Sequence, residues 1–375
     1  MVENIRSGGI RRMPSNDRLR LSFDKYGRVE IVSGSEAGVL NGVDAVLRGT
    51  NYEKSDGSIA AAVGEFNKKL EITILPTEKC DFDCVYCFEE FKLGLMQQPV
   101  VDGVKNLIST RISDLSSLNI MWYGGEPMLA YPIIVNIMEH IATIRPGGVD
   151  LYSEMTTNGY NLTGEKFSRL VDLGVKNYQI TFDGDRNEHN KLRTRKNRKL
   201  TFDVIFDNVT LQHHTDLDFN IKVRMHVNQG NQDSMRGLLR RFKLVVGRDP
   251  RYEFNLRGLI NLNGREEMDS LVMPQNSNVV QELIDMARDM GLKTSFRDPE
   301  YVCYASKPNS YIVRPNGGLL KCGVHLYNQS NTIGHLNSDG SIEINSALAE
   351  QWSRGLLSGN RLELSCPAIN LINKH

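Results

Sequence analysis

A chain of 375 residues has room for two domains, or for one large α/β unit carrying appendages. Its 45 Lys+Arg balance 45 Asp+Glu, so no net charge draws it to nucleic acid, and 40% hydrophobic residues suit an ordinary core. No stretch reads as the roughly 18 apolar residues of a membrane span, and MVENIRSGGIRRMPSNDR lacks the apolar core of a secretory signal, so a cytoplasmic protein without nucleic-acid or membrane partners is expected.

In chain order, RLRLSF and RVEIV joined by DKYG read as a hairpin, and EAGVLNGVDAVL as a helix, which together make residues 1–69 an appended subdomain. From residue 70, β-rich runs alternate with amphipathic stretches. The predicted strands are LEITILP (70–76), NIMWYG (119–124), LYSEMTT (151–157), NYQITFD (177–183), FNIKVRMHV (219–227) and YEFNLRGLI (252–260). Helical patterns follow them: VDGVKNLISTRI, YPIIVNIMEHIATI, TGEKFSRLVDLG, FDVIFDNVTLQ, QDSMRGLLRRFKLVV and NSNVVQELIDMARDMG. Several begin after Thr, Asp or Asn as N-caps, and two end at Gly174 and Gly291.

Six strand-helix units in residues 70–295 imply right-handed parallel crossovers and a partial (β/α)6 TIM-like barrel in the α/β class. An open doubly wound sheet is the alternative, although the G-x-G-x-x-G of a dinucleotide site is missing after the first strand. In a parallel barrel the chemistry lies on the loops after the strands. The unusual polar elements all fall there: Cys80–Cys87, Gly124-Gly125-Glu126-Pro127, Thr157-Asn158-Gly159, Asp183-Gly184 and His226-Val227-Asn228. Beyond residue 295, YIVRPNGGLLKC reads as a hairpin and SIEI as another strand, which makes 296–375 a C-terminal subdomain.

Six cysteines are too few for a disulfide scaffold, and they form two groups of three: Cys80, Cys84 and Cys87, then Cys303, Cys322 and Cys366. In a reducing compartment, grouped thiolates point to metal ligation. C-x3-C-x2-C on one loop can hold three irons of a [4Fe-4S] cube and leave the fourth open to a small molecule. A closed zinc knuckle needs a fourth ligand, and the nearest downstream histidine is His140.

This loop resembles the signature of the radical S-adenosylmethionine (radical SAM) superfamily. Tyr86 matches its aromatic position, which the resemblance places against adenine, and Gly124-Gly125-Glu126-Pro127 matches its GGEP element, in which Glu126 and the adjacent backbone receive the amino group of SAM. Thr157-Asn158-Gly159 resembles the TNG element. Thr181-Phe182-Asp183-Gly184 with His189 to Arg193 looks like the S-x-D-G and H-x-x-x-R stretch of peptide- and sulfatase-modifying members. There Thr181 stands in for a serine touching the ribose or carboxylate, and Arg193 for the partner of the SAM carboxylate.

Cys303, Gly317 and Cys322, with Cys366 returning after a helix near ALAEQWSRGLL, resemble the SPASM or twitch extension that holds auxiliary iron-sulfur clusters. The pattern departs from the full SPASM form, since no C-x2-C-x5-C run follows, which limits the cysteines to one auxiliary [4Fe-4S] cluster. Its fourth position falls to water, substrate or a side chain such as His325. Three unrelated buried cysteines is the bland alternative.

The resemblance implies that one electron, from a donor such as flavodoxin or ferredoxin, cleaves SAM at the first cluster, and that the resulting 5'-deoxyadenosyl radical abstracts hydrogen from a peptide. A ribosomally made precursor peptide that is cross-linked, oxidised or epimerised is the substrate expected. Radical chemistry on a small molecule held at the auxiliary cluster, and a non-enzymatic iron-sulfur redox or binding protein, are the alternatives. No catalytic residue beyond the cofactor ligands is legible.

Overall fold

The computed structural model describes residues 20–33, 64–262, 264–274, 276–295 and 301–372. The helix expected over EAGVLNGVDAVL lies outside them. The hairpin expected near the start is present: β1 (Arg20–Phe23) pairs antiparallel with β2 (Val29–Ser33). It is tied to the rest of the chain by polar contacts. The buried guanidinium of Arg111 donates to the carbonyls of Tyr26 and Asn67, and the Tyr311 hydroxyl donates to that of Gly27.

The chain then runs through β3 (Lys69–Ile74), β4 (Phe82–Cys84), α1 (Gln98–Arg111), β5 (Ser117–Trp122), α2 (Tyr131–Ile144), β6 (Asp150–Thr157), α3 (Gly164–Asp172) and β7 (Asn177–Phe182). It continues through α4 (Arg186–Leu192), β8 (Arg193–Arg195), α5 (Phe202–Thr210), β9 (Asn220–Val227), α6 (Gln232–Val246), β10 (Tyr252–Gly258) and α7 (Val279–Asp289). All six predicted strands form, as β3, β5, β6, β7, β9 and β10. They lie side by side in chain order, each parallel to the next.

That order separates the two architectures left open by the sequence. A doubly wound sheet reverses direction at a switch point and covers both faces with helices. Here nothing reverses, and burial alternates along β3, β5, β7 and β9. Leu70, Ile72 and Ile74 of β3, Leu118, Ile120 and Trp122 of β5, and Ile221, Val223 and Met225 of β9 are fully buried in the core beneath the helices. The residues between them, such as Thr73, Asn119, Gln179, Thr181 and Arg224, are half-buried and polar. One face therefore packs on helices while the other lines a polar concavity, as in an open partial barrel. Burying each of those large apolar side chains contributes roughly 1.5–3 kcal/mol.

Contrary to the reading that no stretch has the length and apolarity of a membrane span, Pro127–Ile144 does. In the fold this segment is a short turn followed by α2, whose Ile134, Ile137, Met138 and Ile141 are buried in the core. The expected caps also need correction: Thr163, Thr201 and Asn231 precede α3, α5 and α6 without a side-chain cap. Asn190 serves α5 instead, its Oδ1 accepting from the Thr201 and Phe202 amides at 2.9 and 3.0 Å. Asn231 is committed elsewhere, donating to the carbonyls of Asp183 and His226. Gly174 and Gly291 end their helices as expected, at φ +96° and +74°.

The C-terminal segment extends the same sheet. β11 (Ser310–Val313) runs parallel to β3, then turns back through Gly317 into antiparallel β12 (Gly318–Leu320), followed by β13 (Thr332–Leu336) and β14 (Ile342–Ile344). Three short helices, α8 (Ser346–Trp352), α9 (Arg354–Ser358) and α10 (Arg361–Ser365), complete the described chain. Hydrogen bonding is thus continuous across the residue 295/296 boundary drawn from the sequence, because β11 satisfies the free edge of β3.

Candidate active site

Leaving β3, the chain enters the first cysteine loop on the rim where the parallel strands end. Phe82–Cys84 forms β4, which pairs with β8 in the register Cys84↔Arg193, and the Val85 amide donates to the Leu192 carbonyl. The basic run after Arg193 is therefore divided: Arg193 is buried and Arg195 half-buried, while Lys196 to Lys199 face solvent. Gly124 adopts φ +116°, and a Cβ there would sit 2.3 Å from the Thr77 carbonyl, while one on Gly125 would sit 2.4 Å from that of Lys79. The close approach these glycines permit is to the chain's own cysteine-bearing loop. The Glu126 amide completes the joint by donating to Lys79 at 2.9 Å.

Glu126 is fully buried and binds inward. Its Oε1 accepts from the Met128 amide at 2.9 Å and the Thr157 hydroxyl at 2.6 Å, and its Oε2 from the Asn158 amide at 2.6 Å. Burial pushes it up to about 7, the three donors offsetting part of that rise. Pro127 starts the short turn that Glu126 caps. The Asn158 side chain donates to Asp81 at 3.0 Å, and Asp81 also takes Arg195 at 3.0 Å. Asp81, inside the cysteine loop, thereby joins three loops of the rim, a role that sequence reading missed although the residue lies within the motif.

A second hub is Asp183, fully buried. It accepts from the Tyr86 hydroxyl at 2.5 Å, lies 3.3 Å from His226 and 4.0 Å from Arg193, and Arg193 in turn donates to the Tyr86 oxygen at 2.6 Å. Burial would raise Asp183, but the hydrogen bond and charge of His226, with the Arg193 charge, outweigh it and hold the carboxyl below its usual value. The Tyr86 ring meets His226 edge-on at 5.3 Å. His189 is a neutral core ring set among Phe182 and Phe202; burial, then Arg193, lowers it to about 3. The Thr181 hydroxyl faces the concavity and makes no hydrogen bond among the described residues.

None of the six cysteines is in a disulfide among the described residues. Burial pushes those of Cys80, Cys84 and Cys87 up, and Arg193 works against that rise at Cys84 and Cys87. In the second group Cys303 feels the charge of Cys366, and Cys322 that of both, so three remote segments converge. In the first group the Phe82 amide donates to the Cys80 sulfur at 3.4 Å.

Among the described residues, no three His, Cys, Asp or Glu side chains converge as a single metal ion requires. A cube in which each thiolate binds its own iron needs no such convergence, and amide donors with nearby arginine suit the negative charge of thiolate ligands. The first group fits a [4Fe-4S] cluster better than a zinc knuckle. His325, considered for the auxiliary site, is half-buried three residues from Cys322.

The polar barrel rim carries three thiols on its first loop, and residues 74–241 match the Radical SAM superfamily. Over those residues the chain carries a radical SAM domain.

Among relatives, GTP 3',8-cyclase of Pseudomonas fluorescens (strain Pf0-1) is 33% identical over 133 residues, covering 35% of this chain and 38% of the relative. PqqA peptide cyclase of Bradyrhizobium diazoefficiens is 26% identical over 119 residues, or 32% of this chain and 30% of the relative. The chain thus matches well under half the length of these curated relatives.

Similar solved structures include anSMEcpe with bound AdoMet and Cp18Cys peptide, with TM-score 0.58 and 16% identity over 75% of this chain and 80% of that one. Streptococcus suis SuiB bound to precursor peptide SuiA has TM-score 0.53 and 13% identity, over 92% of this chain and 89% of that one. At such identities these likenesses establish the fold.

Proposed function

We propose that this protein is a SAM-cleaving radical enzyme whose substrate is a peptide, a ribosomally made precursor that it cross-links, oxidises or epimerises. The observation that carries the reading is the placement of Cys80, Cys84 and Cys87 on the strand-end rim, braced by Glu126, Asp183 and Arg193 and open to a polar concavity. The bound peptides of the anSMEcpe and SuiB structures support the substrate class.

When bound, a [4Fe-4S] cluster with SAM supplies one-electron cleavage to a 5'-deoxyadenosyl radical that abstracts hydrogen. Cys80, Cys84 and Cys87 hold that cluster. Glu126, bound inward, fixes the Thr157-Asn158 loop against the cysteine loop at the cofactor site, while Thr181 offers its hydroxyl. Tyr86, Gly124, Gly125, Pro127, Thr157, Asn158 and Arg193 shape the cofactor site, and the Tyr86–Arg193–Asp183 triangle keeps its wall rigid.

Cys303, Cys322 and Cys366 hold one auxiliary [4Fe-4S] cluster in a C-terminal subdomain, a reading supported by the Cys303 amide, which donates to the Leu364 carbonyl two residues before Cys366. A cytoplasmic flavodoxin or ferredoxin supplies the electron. The GTP 3',8-cyclases among the relatives favour a second reading, a small molecule anchored at the auxiliary cluster.

The test is anaerobic reconstitution followed by reduction with SAM. About eight irons with matching sulfide and release of 5'-deoxyadenosine are expected, whereas zinc in place of iron, or iron-loaded protein that never cleaves SAM, would overturn the reading. Mass spectrometry of a short peptide encoded beside the gene and co-expressed with it separates the substrates, since an unmodified peptide favours the small molecule.

A further inference from the structure

On the concave face, register sets Thr181 of β7 beside Arg224 of β9, Arg224 beside Asn255 of β10, and His226 beside Arg257 one step nearer the rim. On β10, Phe254 and Leu256 lie in the core, Phe254 against Phe242 of α6, so Arg257 shares the opposite, open face with Arg224.

Both guanidiniums are half-buried, and neither has a hydrogen bond or ion pair among the described residues; the Nε of Arg224 is buried without a partner. Asp183 and Glu253, on neighbouring strand positions, form no ion pair with either arginine. Asp183 is held by Tyr86, His226 and Arg193, and Glu253, lower on β10, lies 3.6 Å from Lys293. Burial, then the like charge of Arg257, lowers Arg224, and Tyr86 and Asp183 offset only part of that. Two neighbouring cations drawn partly out of water with no carboxylate in ion-pair contact are costly unless an anion is brought to them.

We propose that Arg224 and Arg257 form a carboxylate-binding subsite on the concave face, one strand from Thr181. This rests on the reading of that face as the SAM and substrate cleft. The guanidinium fork matches a carboxylate in two parallel hydrogen bonds, and two forks leave little of its charge uncompensated. The carboxylate comes either from the methionine part of SAM or from an acidic residue of the peptide. Arg193, on β8, donates to Tyr86 and lies 4.0 Å from Asp183, so the subsite on β9 and β10 is a separate place for such a group.

The experiment uses iron-reconstituted full-length protein, as wild type, Arg224→Gln, Arg257→Gln and Arg224→Lys, with thermal unfolding as the folding control. Equilibrium dialysis compares SAM with decarboxylated SAM. Fluorescence anisotropy compares C-terminally amidated decapeptides bearing Asp and Glu with their Asn and Gln counterparts. Each Gln variant is expected to lose affinity about 10- to 100-fold for the carboxylate-bearing probe alone, and Arg224→Lys to recover part of it.

Loss confined to SAM assigns the subsite to the cofactor, and loss confined to acidic peptides assigns it to the substrate. Well-folded Gln variants with unchanged affinities, or a wild type that prefers neither carboxylate-bearing probe, would overturn the subsite. Failure of the functional reading is separately visible, as iron-loaded wild type that does not cleave SAM.

Discussion

The two cysteine groups bring three thiols together in different ways. The first lies within eight residues of one loop, and that loop is bound on every side: by β8 through backbone pairing, by Gly125 and Glu126 through Lys79, and by Asn158 and Arg195 through Asp81. The second is drawn from three distant segments, and its Cys366 is exposed. It depends on a few long-range contacts. The Cys303 amide donates to Leu364, and the Asn331 side chain accepts from the Lys321 and Cys322 amides while donating to the Cys322 and His325 carbonyls. A local set of thiols keeps its spacing on the loss of any one brace, whereas a set assembled from afar depends on the few contacts that join its segments.

The largest effect expected separates the groups by chemistry. Cys80→Ala with Cys84→Ala and Cys87→Ala should abolish 5'-deoxyadenosine formation and leave about four irons. The corresponding triple variant of Cys303, Cys322 and Cys366 should still cleave SAM while making no peptide product. If both triples kept or both lost SAM cleavage, the groups would not be functionally distinct.

Next, Asn331→Ala should cost about 1–3 kcal/mol, because buried amides and carbonyls lose their partners. It should release the C-terminal iron while the first cluster stays loaded; iron analysis beside urea unfolding reads both. Asp81→Ala should cost less, since its carboxylate is only partly buried and β4–β8 pairing still holds the loop, so iron loading should survive with slower SAM cleavage.

The smallest effect is a control on the opposite rim. Burial would raise Asp249, but hydrogen bonds from Arg251 and His213 outweigh it and hold it at about 2, against the ordinary 3.8. A carboxyl depressed by folding adds stability that is present above the unfolded value and is lost as pH falls through the folded one. Urea unfolding of wild type should therefore weaken between about pH 3.8 and 2. Asp249→Asn should flatten that dependence without changing iron content in either group.

Much of this was legible because it is local. All six barrel strands follow from runs of alternating β-rich residues, and α2 and α6 match their amphipathic stretches end to end. The C-x3-C-x2-C spacing carries its chemistry in eight consecutive residues, so it needs no fold to be read. The hairpin over Ser310–Leu320 and the strand Ile342–Ile344 were likewise marked by turn residues.

What only the tertiary structure decided depends on pairing across sequence distance, for which periodicity carries no signal. Strand order settled the open partial barrel against the doubly wound sheet, and the free edge of β3 recruited β11 from more than 230 residues away. Arg193 reads as one charge in a basic run until β4–β8 pairing buries it and leaves Lys196 to solvent. Arg224 and Arg257 are ordinary polar positions in alternating strands until register sets them on one face with no ion pair to either among the described residues. Sequence determined which chemistry the chain carries, because ligand type and local spacing are properties of short segments. The fold decided which charges meet, because burial and counter-charge exist only once distant strands are paired.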